Sequence, residues 1–307
     1  MINRLLKKGS RGAEVIKVQQ VLKIRMNGYF DDITEQAVIN YQLSKGLKPD
    51  GIVGGMTWTA LLTETGEIFS DISQDTDLSS NYFTTEFNSK IHRYYLDRGQ
   101  YLDYKSKNEY LFLHHTAGND NPFKTIDYWN KDNRGRVATE FVIGGQNYRT
   151  GSDAFDGIVV QSFPETGYGW HLGKTGSGHM NKKSVGIELC SIGYLEDGIS
   201  WVGKKAIESQ IINLTEPFRG KNQFHKYSDA QIEETRKLIK YIAERDGINI
   251  REGLQRFIRE KGAVKAFGFD EDAYYGKVKG LLSHGNVRKD KTDIYPDQRF
   301  IDMIMSL

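Results

Sequence analysis

Residues 110–118 read Tyr110-Leu111-Phe112-Leu113-His114-His115-Thr116-Ala117-Gly118. Four apolar or aromatic side chains in a row describe a short buried strand, and two histidines follow it without a break. Active sites of α/β domains gather at the ends of strands, so this strand delivers imidazoles where chemistry is done. Outward from it, Val137 to Ile143 and Ser184 to Ser191 read as further strands. Ser228-Asp229-Ala230-Gln231 is a capping box. The apolar stripe Ile232, Leu238, Ile239, Ile242 and Ala243 then predicts a helix ending near Gly247. Strands and helices mixed around one core predict an α/β domain over residues 107–307, a central mixed β-sheet flanked by helices. The charged, aromatic stretch 249–280 takes no role from its sequence.

The N-terminal part follows a different period. Val15, Val18 and Leu22 after Gly9-Ser10-Arg11-Gly12 predict a helix over about 12–24. Thr34 is the expected N-cap of a second helix carrying Ala37, Val38 and Tyr41 and closing near Gly46, and Thr57 that of a third with Trp58, Leu61 and Leu62. Two stretches repeat one order of turn glycine, apolar residue, turn and threonine: Asn27-Gly28-Tyr29-Phe30-Asp31-Asp32-Ile33-Thr34 and Asp50-Gly51-Ile52-Val53-Gly54-Gly55-Met56-Thr57. Residues 1–63 are therefore expected to form a small all-α three-helix domain. Residues 64–106 are the expected connection: a polar linker at 64–80, then Tyr82, Phe83, Phe87, Tyr94, Tyr95 and Tyr101, too aromatic for a free tether and expected to pack on the second domain.

Composition excludes several classes. The 42 basic and 40 acidic residues leave a net charge of +2, without the basic excess of a nucleic-acid binder. The single cysteine, Cys190, excludes an intrachain disulfide framework. No apolar run approaches the roughly 18 residues that span a bilayer. Lys7, Lys8, Gly9 and Ser10 interrupt any secretory apolar core, so synthesis in a cytoplasm without a signal peptide is expected, as is a monomer.

Among the seven histidines, His114 ends the buried strand and His284 follows the apolar run Leu281-Leu282-Ser283, with Asp293 nine residues later. Two imidazoles and a carboxylate are a ligand set that zinc accepts, leaving a fourth position open. On residue type alone, His115 rivals His114, and Asp290 and Asp297 rival Asp293.

Read together, LFLHHTAG, VATEFVIGG, GYGWHLG, NKKSVGIEL and LSHGNVRKDKTD resemble, in order and rough spacing across about residues 108–300, the type-2 N-acetylmuramoyl-L-alanine amidases. That family includes phage amidases, bacterial muropeptide amidases and animal peptidoglycan recognition proteins. GSRGAEVIKVQQVL, NGYFDDITEQAVINYQ and LKPDGIVGGMTW resemble the peptidoglycan-binding helical domain often joined to such enzymes, over about residues 4–63. The resemblance implies a Zn2+ enzyme that cleaves the amide between the lactyl group of N-acetylmuramic acid and L-alanine, with bacterial peptidoglycan as partner.

Carried over by position, His114, His284 and Asp293 become the metal ligands, Glu188 the general base and Lys291 the stabiliser of the developing oxyanion. Other members use a tyrosine where Thr139 stands here, and lack the glutamate. Glu140 replaces a histidine common in the family and is a second acid/base candidate. His171, in Trp170-His171, matches a position lining the substrate groove, Asn181 matches one expected to bond the muropeptide, and Cys190 is expected to be a buried strand residue. A wall-binding module without an export signal implies a phage endolysin, released to the wall at lysis. Competing expectations are a secretion-system or tail-associated effector, a non-catalytic recognition protein that has lost metal ligands, and a glycosidase, which needs paired carboxylates and no metal.

Overall fold

The computed structural model describes residues 5–54, 56–58, 60–61 and 87–307. The expected linker at 64–80 lies outside the described residues, as do Leu62, Tyr82 and Phe83. The chain divides into two compact units, one within residues 1–83 and one within 84–307.

In the first unit, α1 spans Ala13–Val21 and α2 spans Asp32–Ser44, and residues 56–58 and 60–61 are also helical. Leu6, Val15, Val18, Phe30, Val38, Val53, Trp58 and Leu61 form the core. The unit is all-α, but its caps differ from expectation. Asp31, not Thr34, caps α2, its carboxylate accepting from Thr34 N at 2.9 Å. Thr34 is one turn inside, because its hydroxyl is claimed by Gln19 Nε2 at 2.8 Å. Thr57 is likewise already helical, and its hydroxyl takes Gln42 Nε2 at 3.1 Å.

The repeat therefore has a physical core. Gln19 Nε2 donates to Asn27 Oδ1, Tyr29 O and Thr34 Oγ1, while its Oε1 accepts from Gly28 N. Gln42, 23 residues later, makes the same four bonds, to Asp50 Oδ1, Ile52 O, Thr57 Oγ1 and from Gly51 N. Both turn glycines are left-handed, Gly28 at φ 66 and Gly51 at φ 71, a conformation that side chains disfavour. Each buried glutamine thus satisfies a turn that no helix or sheet could satisfy.

The second unit is α/β. Its strands are β1 (His92–Arg93), β2 (Tyr110–His115), β3 (Phe141–Ile143), β4 (Val159–Gln161), β5 (Ser184–Leu189), β6 (Tyr194–Glu196), β7 (Ile199–Ser200), β8 (Ile211–Phe218), β9 (Lys221–His225) and β10 (Gly280–Ser283). Six form a mixed sheet in the order β1-β4-β3-β5-β2-β10, in which β3, β5, β2 and β10 run parallel and β4 opposes β3. β2 is buried along its whole length, as a strand covered on both faces must be. β3 starts later than expected, at Phe141: Glu140 O accepts from Ser162 N at 2.8 Å and Thr139 O from Ser162 Oγ, both beyond the ladder with β4.

The helix Asp229–Asp246 is capped by Ser228 and closed by left-handed Gly247. Only half of the capping box forms. Gln231 Nε2 reaches the carbonyls of Ile143 and Cys190 at the ends of β3 and β5, tying the helix to the sheet. Cys190 itself is buried. The segment from Phe87 lies along β4, with Tyr94 N bonded to Gln161 O and Leu96 N to Ser162 O.

Two features have no counterpart in the sequence reading. β6 to β9 make a second, antiparallel sheet in the order β7-β6-β9-β8. Residues 249–280 fold into the helices Leu254–Lys261, Ala263–Ala266 and Glu271–Tyr274. The carbonyls of Ala266 and Gly268 accept from Asn286 Nδ2 at 2.7 and 2.8 Å, bracing the short helix His284–Val287 that follows β10.

Candidate active site

β2 and β10 pair in parallel, Leu113 against Ser283, so His114 and His284 leave the same end of the sheet side by side. The chain then returns through Gly285 N, which donates to Asp293 O at 3.0 Å. His284 Nδ1 lies 2.9 Å and His114 Nδ1 3.4 Å from the same oxygen, Asp293 Oδ2. All three residues are buried, with one potential ligand atom from each within 4.8 Å of the others. His284 Nε2 is buried without a hydrogen-bond partner.

Electrostatics follow from this crowding. Burial, then the neighbouring His284, pushes His114 down to about 4. Asp293 is held well below the usual carboxylate range, chiefly by the neighbouring His284, against the opposing effect of burial. Glu188 is the register partner of His114 across β5 and β2. Burial, then the Asp293 charge, pushes its carboxyl up to about 8 against the pull of Lys291.

The rival ligands are engaged elsewhere. His115 Nδ1 meets the Tyr227 hydroxyl at 2.8 Å. Asp290 is paired with Arg288, and Asp297 caps the helix Gln298–Met305 and holds Arg299. Lys291 is partly buried, and its charge reaches Glu188, His114 and His115.

The groove residues divide. Trp170 is 43% exposed and stands edge-on to Tyr168. His171 has both ring nitrogens occupied, Nδ1 by His114 at 2.9 Å and Nε2 by Ser184 Oγ at 2.8 Å. Asn181 is buried, its Oδ1 accepting from the backbone of His171 and Leu172 and its Nδ2 donating to Gly173 O. Glu140 is buried with Lys105 and Arg245, each at 2.7 Å, and Gln161 also donates to it. Those two cations hold the Glu140 carboxyl low against the opposing effect of burial.

Ser184 and Arg219 were not anticipated. Ser184 opens β5 as an ordinary small strand residue. Arg219 sits in a left-handed turn at φ 51 and donates to Gly285 O, at 2.9 Å, and to Lys289 O in the loop between His284 and Asp293. A turn arginine reads as solvated, so no local pattern marks it.

The chain belongs to the N-acetylmuramoyl-L-alanine amidase family, whose model matches residues 104–294, more than half of its length. Residues 11–61 match the model of a peptidoglycan binding domain. The N-acetylmuramoyl-L-alanine amidase CwlA of Bacillus subtilis (strain 168) is 30% identical over 84 residues, which are 27% of this chain and 26% of that protein. The chain thus spans about a quarter of that relative's length. A mutant endolysin from Bacillus subtilis is similar at 17% identity over 52% of this chain and 79% of that one, with a TM-score of 0.33. The wild-type Drosophila PGRP-LB is similar at 17% identity over 70% of this chain and 92% of that one, with a TM-score of 0.36. Among the described residues, no helix is long and apolar enough to cross a membrane.

Proposed function

We propose that the chain is a zinc-dependent N-acetylmuramoyl-L-alanine amidase, cleaving the bond between the lactyl carbonyl of N-acetylmuramic acid and the stem-peptide L-alanine. The observation that carries this reading is the buried trio His114, His284 and Asp293, on the strand face that also bears Glu188. The trio suits a divalent ion: imidazole nitrogen and carboxylate oxygen donors, both of which borderline-soft Zn2+ accepts, converge, and the buried His284 Nε2 has no hydrogen-bond partner within the described residues. Zinc held by these residues would supply Lewis acidity, polarising the carbonyl and lowering the pKa of a water from about 15.7 towards about 7.

The chain's own groups do the rest. Glu188, whose ionised form is favoured once a bound cation offsets the Asp293 charge, takes a proton from the attacking water as the water oxygen adds to the carbonyl carbon. It returns that proton to the alanine nitrogen as the carbon–nitrogen bond breaks. Lys291 offsets the negative charge that develops on the carbonyl oxygen, a contribution made mainly in the transition state. Trp170 offers an exposed aromatic face to the substrate. Glu140, already neutralised by Lys105 and Arg245, supports the fold.

Residues 1–63 serve as the wall-binding domain, 64–106 as linker and packing segment, and 107–307 as the catalytic domain. Tethering to the polymer raises the effective concentration of enzyme at its substrate. This organisation suits a monomeric modular endolysin, made in a host cytoplasm and acting on the wall after release. Digestion of purified peptidoglycan, read by mass spectrometry, tests the activity. Free stem peptides and intact glycan strands are expected, with loss of both on chelation. New reducing ends would identify a glycosidase, and binding without cleavage a recognition protein.

A further inference from the structure

His171 bridges His114 and Ser184, and the bridge has a direction. Ser184 Oγ donates to the backbone carbonyl of Asn181 at 3.3 Å. A carbonyl can only accept, and a hydroxyl carries a single proton. With that proton on the carbonyl, Ser184 must accept from His171 Nε2–H across the 2.8 Å contact. A neutral imidazole has one N–H, so His171 Nδ1 is then an acceptor, and the proton in the 2.9 Å contact belongs to His114 Nε2. His114 Nδ1, the nitrogen facing Asp293 Oδ2, is left as a bare lone pair. The opposite direction would take the Ser184 proton from the Asn181 carbonyl and aim His114 Nδ1–H at Asp293 Oδ2, 3.4 Å away and beyond good hydrogen-bond reach, placing a proton where a metal ligand needs a lone pair.

The seat of the ring is equally specific. Asn181 holds the His171 and Leu172 backbone amides with its side chain and ends the chain of bonds with its own carbonyl. Beneath the ring lies Gly186 of β5, where a Cβ would come within 3.0 Å of His171 Nδ1. With both nitrogens engaged, the ring has no donor or acceptor to offer a substrate.

We infer that His171 is a positioning residue: with Ser184 and the Asn181 carbonyl, it fixes the His114 proton on Nε2 and presents Nδ1 as a ligand to a divalent cation. This rests on the metal-centre reading above. It assigns to His171 a role distinct from lining the groove.

The test uses the full chain, with His171→Leu removing the acceptor and His171→Gln restoring one through its amide oxygen. In zinc-free wild type at neutral pH, nitrogen-15 NMR of the imidazoles should show His114, assigned through His114→Gln, as the Nε2–H form. Zinc affinity, measured by competition with a chromophoric chelator, should fall about 10- to 100-fold in His171→Leu, the usual scale for a partner that orients a ligand. It should recover at least in part in His171→Gln and fall less in Ser184→Ala. An Nδ1–H form of His114 in the wild type would overturn the inference, as would an unchanged zinc affinity in a folded His171→Leu. If His171→Leu does not fold, the wild-type spectrum and Ser184→Ala still decide. A wild type that binds no zinc would sink the metal-centre reading instead, while the zinc-free spectrum would still judge the bond direction.

Discussion

Glu188 and His114 are paired across neighbouring parallel strands, so both side chains project from one face of the sheet. This pairing separates two carboxylates that the sequence left in competition. Glu188→Gln should keep zinc and lower turnover about 100-fold or more, the scale of a positioned acid/base. Glu140→Gln should instead strip Lys105 and Arg245 of a buried counter-charge and destabilise the fold by about 3 kcal/mol. Activity per folded molecule should survive. Turnover and denaturant titration on both variants check this, and the reverse pattern would reassign the base.

The pH dependence has a definite sign. Glu188 is pushed up to about 8, above its unfolded value, so its protonated form is the one that folding favours. Its contribution is full below the ordinary carboxylate range and is lost as pH rises through about 8. Metal-free protein should therefore lose stability over that window, by at most about 1.4 kcal/mol per pH unit from this group. Glu188→Gln should remove the slope, gaining stability at pH 8.5 and little at pH 4. Thermal unfolding in chelator across that range is the measurement. Parallel curves for the two proteins would refute it.

Lys291 acts on charge that exists only during the reaction. Lys291→Met should lower kcat about 100-fold with KM nearly unchanged and zinc retained. A large rise in KM with normal kcat would make the lysine a substrate anchor.

The duplicated turn of the first unit supplies its own control. Gln19→Leu and Gln42→Leu each remove the same four bonds. Each should destabilise residues 1–63 by about 2 kcal/mol or more, through stranded backbone groups. In the full chain, neither should alter hydrolysis of small muropeptides. Without residues 1–63, cleavage of whole sacculi should slow; equal rates on sacculi would remove the targeting role.

What was legible in the sequence was local. Tyr110–His115 announces itself as apolar run and histidines together, and Ser228 with Gly247 marks both ends of its helix. Thr34 misled because Asp31, three residues earlier, is an equally good cap, and only packing shows that the threonine hydroxyl is taken by Gln19. The second sheet was hidden by length and polarity: β7 has two residues, and β8 carries Asn213, Thr215, Glu216 and Pro217. Links such as Arg219 to Gly285 depend on tertiary proximity that no periodicity encodes.

Among the described residues, β10 is the edge of its sheet, joined to β2 by four register pairs and met on its far side by a bridge from Gly253 to Leu281. His284 follows directly on that edge, whereas His114 lies 170 residues earlier in the chain. A cation shared between them, as proposed, would staple a very long loop, and closing such a loop removes more freedom from the unfolded chain than closing a short one. Withdrawing such a cation would act on more than the chemistry proposed for it. It would loosen the outermost strand and bare the hydrogen-bonding edge of β2, and the metal-free chain is then expected to pair edge to edge with its own copies.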